Sequence, residues 1–68
     1  EAAMTTPTVL YDADTDAAYI RFSKASVHES DEVSPGVVLD YDKAGHIVGM
    51  EIHNARAQLP PDVLNRAA

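Results

Sequence analysis

One motif occurs twice in this chain, thirty residues apart: Tyr11-Asp12 leads into Ile20-Arg21-Phe22, and Tyr41-Asp42 leads into Met50-Glu51-Ile52. Each copy reads as strand, polar turn, strand. The first turn is Asp12-Ala13-Asp14-Thr15-Asp16 and the second is Asp42-Lys43-Ala44-Gly45-His46. Two such units commit most of a 68-residue chain to a small antiparallel sheet. They also account for most of its strong residues as fold, which leaves little to report chemistry.

The length gives one domain. Glu1-Ala2-Ala3 before Met4 reads as an appended remnant, with Met4 the natural start and residues 4–68 a single small β-rich domain. A domain of this size buries only about 60% of the surface of its unfolded chain. Disulfides, metal or association usually support such folds. There is no cysteine, which closes the disulfide and thiolate routes and fits a reducing compartment such as the cytoplasm. Association remains, and a homodimer is expected. Eleven Asp and Glu against five Lys and Arg give a net charge of -6. That argues against nucleic acid, whose phosphates need clustered cations, and against an anionic membrane surface. No apolar run has the length of a membrane span, and no signal peptide is visible.

Thr5-Thr6-Pro7 reads as a flexible lead and Thr8 to Tyr11 as a short strand. The first turn lacks glycine, so a loop of about four or five residues on a type I turn suits it. Ala17 to Ser23 is a second strand, with Ala18, Ile20 and Phe22 on one face and Tyr19 and Arg21 on the other. Lys24 to Ser34 is either one irregular strand with a bulge or an edge strand guarded by charge. Pro35-Gly36 is a turn. Val37 to Tyr41 and Ile47 to His53 form the second hairpin, and Gly45 supplies a positive φ in its turn. Ala55 to Leu59 reads as a helical turn, and Pro61 and Asp62 suit the start of a short C-terminal helix. Its Val63 and Leu64 are the candidate interface residues. The expected core is Ile20, Phe22, Val37, Leu39, Val48, Met50 and Ile52.

Few constellations carry chemistry. Asp12, Asp14 and Asp16 alternate like the first ligands of a calcium loop. The glycine and glutamate such a loop requires are replaced by Ala17 and Ser23. His28, His46 and His53 lack metal-ligand spacing. No metal and no cofactor are expected. Asp40 and Glu51 fall out of phase with the apolar face on strands of one hairpin. They therefore share a face with Tyr19 and Arg21 as a polar patch, or Arg21 simply neutralises a carboxylate across strands. Gly49 stands mid-strand, marking a bulge or a close approach by another group such as a tyrosine ring, the bulge being the simpler reading.

Tyr11-Asp12, Asp16, Tyr19-Ile20, Glu32-Val33, Pro35-Gly36-Val37, Leu39-Asp40-Tyr41-Asp42, Gly45, Ile47-Val48-Gly49 and Glu51-Ile52 resemble the small prokaryotic family catalogued as domain of unknown function 2283. That family's pattern runs roughly YDxxxDxLYI, then EVxPGVxLDYDxxGxIVGIEI. The resemblance spans about Val9 to Asn54. It departs at Ala18, where leucine is usual, and at Met50, where isoleucine is common. It implies a compact β-rich domain and supplies no activity, cofactor or catalytic residue. Members are sometimes encoded beside small toxin-like proteins, which implies an antitoxin-like role.

The resulting expectation is a mainly β (α+β) fold: a small antiparallel sheet of four to five strands, built from two hairpins, with a short C-terminal helix. The expected function is a non-enzymatic protein-interaction module of prokaryotic cytoplasm with a toxin-like protein as possible partner. The reading from a different class is a small enzyme or ligand-binding protein using Tyr19, Arg21, Asp40 and Glu51. A convergent pocket would favour the second, and a flat apolar patch or bare strand edge the first.

Overall fold

The computed structural model describes residues 7–67. The readings of Glu1–Ala3 as a remnant, Met4 as the start and Thr5-Thr6 as a lead lie outside the described residues. Five strands form one antiparallel sheet: β1 (Thr8–Asp12), β2 (Ala17–Arg21), β3 (Glu29–Ser34), β4 (Val37–Tyr41) and β5 (Ile47–His53). Their order across the sheet is β1-β2-β5-β4-β3. Two one-turn helices follow, α1 (Ala55–Gln58) and α2 (Pro61–Leu64). The mainly β class is as expected from sequence, with five strands.

The repeated Tyr-Asp pair has a local cause. In the first hairpin Asp12 Oδ1 accepts the Asp14 amide at 2.9 Å. In the second, Asp42 Oδ1 accepts the amides of Ala44 at 3.0 Å and His46 at 2.9 Å. Each aspartate thus satisfies backbone donors that the turn leaves without a ladder partner. The first turn closes without glycine because Asp16 itself takes a left-handed conformation at φ 53°, which aspartate tolerates better than most residues. Gly36 lies at φ 78°, the positive value a Pro-Gly type II turn needs at its second central residue.

Both alternatives for Lys24 to Ser34 hold in part. Residues 22–28 carry the chain past β5 and β4, and β3 then pairs with β4 as an edge strand. The register shifts between Glu32 and Ser34, so Val33 bulges out, 50% exposed.

The apolar face is organised in cross-strand rows. One row is Tyr11, Ala18, Ile52 and Val37; the next is Val9, Ile20, Met50 and Leu39, ending at Asp31 on β3. The helices serve the first row. Ala18, Ile52 and Ala55 form a buried cluster, against which Tyr11, Val37, Met50, Leu59 and Leu64 pack. A helix of four residues is only about 6 Å long, so the lid ends there and Val9, Ile20 and Leu39 stay half-exposed. The core is therefore smaller than the sequence suggests. Val48 and Ile52 are buried, but Ile20, Val37, Leu39 and Met50 are only half-buried. Phe22 is a correction. It lies past the end of β2, outside the cluster under the helices, and is 38% exposed.

The lid is fastened by the first turn. The Asp16 carbonyl accepts the Ala55 amide at 2.9 Å. Asp16 Oδ1 accepts the Arg56 amide at 3.1 Å and the Tyr11 hydroxyl at 2.7 Å. Asn54, the residue before α1, makes no side-chain cap, so Asp16 performs that task from a distant part of the chain.

Urea denaturation should separate the two apolar positions. Ile52→Ala is expected to lose about 2–5 kcal/mol, a large-to-small change in a site that cannot collapse, and Phe22→Ala clearly less. Equal losses at both positions would contradict this core.

Candidate functional site

The opposite face of the sheet is polar. Its rows place Arg21 beside Gly49 and Asp40, and Tyr19 beside Glu51 and Val38. The Tyr19 side chain runs diagonally over β5 to β4, where its hydroxyl donates to Asp40 Oδ2 at 2.7 Å. The path crosses Gly49, where a Cβ would overlap the tyrosine hydroxyl and its ring carbon Cζ. Both readings of Gly49 are realised, since the β4–β5 register also shifts next to it, between Asp40 and Tyr41.

Asp40 has a second partner: Ser30 on β3 donates to Oδ1 at 2.6 Å. Arg21 lies behind the phenol, with Nη1 donating to the Tyr19 oxygen at 3.3 Å. Two further donors go to the Ser23 carbonyl from Nε at 2.5 Å and the Ala25 carbonyl from Nη2 at 2.6 Å. Arg21 therefore ties down the β2–β3 connection, and the cross-strand Arg–carboxylate pair expected as the alternative is not what forms. Glu51 shares the face but lies outside this network; its side chain lies 3.7 Å from His53 Nε2.

The four residues singled out from sequence thus share one face, and three of them are bonded. Ser30 was missed, because only the β3–β4 register sets it opposite Asp40. The network reads chemically as a clamp. Each Asp40 oxygen already accepts a hydroxyl. Burial, and then the bond to Asp40, push the Tyr19 phenol above its ordinary pKa, so at neutral pH it stays a protonated donor. Beside it lies a shallow depression of about 250 Å³ floored by Ala17 and bordered by Leu10, Asp12, Tyr19 and Glu51.

The aspartates of the first turn are engaged separately: Asp12 with the Asp14 amide, Asp16 with Tyr11 and Arg56. Among the described residues no three His, Asp or Glu side chains converge to hold a metal. His46 lies against Asp42 at 3.5 Å and His53 against Glu51, at opposite ends of β5.

Two measurements test these contacts, the first the clamp and the second the turn aspartates. Gly49→Ala should destabilise by about 1–3 kcal/mol, the usual cost of forcing atoms into filled space. It should cost much less in a Tyr19→Ala background, and additive losses would refute the contact. The second is pH. The His46 amide, then that of Ala44, holds the Asp42 carboxyl below its ordinary value near 3.8. The Tyr11 hydroxyl does the same for Asp16. A depressed carboxyl stabilises the fold above its unfolded pKa and loses that contribution as pH falls through the lower folded value. The raised Tyr19 has the opposite sign: its contribution is present below its ordinary value near 10.0 and is lost as pH rises through the folded one. The melting temperature should therefore fall on acidification below about pH 4, less steeply in Asp42→Asn. An identical acid limb in that variant would contradict the assignment.

Residues 8–56 match the family model described as Protein of unknown function (DUF2283). Neither the curated proteins nor the solved structures searched contain a match. No helix among the described residues is long and apolar enough to cross a membrane.

Proposed function

Since the chain belongs to the DUF2283 family, whose function is unknown, we propose that it is a non-enzymatic interaction module that self-associates through its apolar sheet face. The observation that carries this reading is the half-covered row of Val9, Ile20, Met50 and Leu39. The helices serve the neighbouring row, and each of these four side chains remains partly open to water. Association removes such surface at about 25 cal/mol per Å². A second copy of this chain suits the row on charge. With a net charge of -6, two copies repel over most of their surface, and the polar face carries Asp12, Asp40 and Glu51. The apolar row has no charge until Asp31 at its β3 end. Val63 and Leu64 are both half-buried on α2, which contacts β1, and belong to the proposed interface. The polar patch of Tyr19, Arg21, Asp40 and Glu51 supports the non-enzymatic side of the reading, since its central bonds are made within the chain. In the cytoplasm of a prokaryote the dimer would serve an antitoxin-like role, holding a toxin-like partner protein at its remaining surfaces.

Sedimentation equilibrium from micromolar to millimolar protein tests the reading. A dimer is expected, and Leu39→Asp should give a folded monomer by circular dichroism. A monomer mass for the parent throughout that range, or an undiminished dimer in the variant, would overturn it.

A further inference from the structure

The two edges of the sheet are built differently. β3 carries Glu29, Asp31 and Glu32, is exposed along its whole length and is interrupted by the Val33 bulge. Charge and bulges are the devices that keep an edge from accepting another strand. β1 has neither. Its register against β2 is unbroken from Thr8↔Arg21 to Asp12↔Ala17, and its one charge is at its last residue. Its outer backbone groups face no strand among the described residues, since β1 ends the sheet.

What flanks this edge gives it a chemical preference. On the apolar face lie Val9 and Tyr11, with half-buried Val63 and Leu64 of α2 nearby. On the polar face lies Leu10, 56% exposed, at the lip of the depression over Ala17. Asp12 and Glu51 border that depression, and no lysine or arginine does. A strand laid along β1 would therefore meet apolar side chains on one face and the Asp12 carboxylate on the other, with Glu51 two strands further in, across the depression.

We propose that the free edge of β1 is a strand-addition site for an extended segment of a basic partner protein. The segment alternates: apolar residues lie on the α2 side, and a lysine or arginine lies over the depression at Asp12 and Glu51. Backbone hydrogen bonds give such a contact its affinity and the alternate side chains its specificity. The net charge of -6 steers a basic segment toward the chain. A second copy would bring the same excess of carboxylates to an edge that already carries Asp12, with Glu51 beyond it. The proposal deepens the interaction-module reading and rests on it; it uses the outer edge of β1, which adjoins the self-association row at Val9 and α2.

The test uses the full chain and a fluorescein-labelled peptide of alternating lysine and valine, with an alternating glutamate–valine peptide as control. Anisotropy should show binding of the lysine peptide that weakens with salt, with the control weaker by about tenfold or more. Glu51→Gln should weaken the lysine peptide severalfold. Hydrogen exchange should show new protection in residues 8–12 and none in residues 29–34. Equal binding of both peptides, no binding, or protection on β3 would overturn the proposal. So would β1 protection that rises with protein concentration when no peptide is present, since a second copy would then occupy the edge. Leu39→Asp separates the two readings: loss of the dimer with peptide binding intact supports both. A parent dimer that ignores the peptide defeats the edge alone, and a parent monomer that binds it defeats the row alone.

Discussion

The small core depends on one residue, Asp16, which joins the sheet to its lid. Its carbonyl holds the Ala55 amide, and its carboxylate holds the Arg56 amide together with the Tyr11 hydroxyl. A helix of one turn has no stability of its own. It persists because its free amides find an acceptor already fixed by a hairpin, and because Ala55 packs on Ala18 and Ile52. The left-handed backbone of Asp16 belongs to the same arrangement, since the residue must both close the turn and present its oxygens to α1. Local turn chemistry and the burial of the core are thus settled by one side chain.

The polar face works by a comparable economy. A tyrosine from β2 crosses a glycine on β5 to reach an aspartate on β4, which a serine on β3 also holds. Side-chain bonds link three strands, β2, β4 and β3, across a fourth that the ring covers, where backbone ladders join only neighbours. The residue types that suggest an acid–base site are joined in this crosslink, with each Asp40 oxygen accepting a hydroxyl. The half-covered apolar row and the free edge of β1 lie apart from this crosslink.

The hairpins, the turn residues and the division of each strand into two faces were legible in the sequence, because period-two alternation and Asp, Gly and Pro positions are local signals. The sharing of a face by Tyr19, Arg21, Asp40 and Glu51 followed from the same alternation. What alternation leaves undetermined is distance along the chain. Asp16 and Arg56 lie forty positions apart, and nothing local links them. Ser30 meets Asp40 only because β3 takes one register against β4. Phe22 obeys the apolar alternation, yet the strand ends one residue earlier and the lid is too short to reach it. The pattern shows which face a residue joins, while the extent of cover is decided by tertiary structure.

The strand order has a consequence for how the chain reaches this state. β1–β2, β3–β4 and β4–β5 are each formed by strands adjacent in sequence, and β2–β5 alone joins distant ones. The sheet is therefore two local pieces, a two-stranded hairpin and a three-stranded meander, sewn along a single seam. The Tyr19–Asp40 bond spans that seam, and so do the bonds from Asp16 to the segment after β5. Closing a long loop costs entropy before its contacts repay it. Docking along β2–β5 is the pairing that closes the longest loop, and the bonds across it act as its latch.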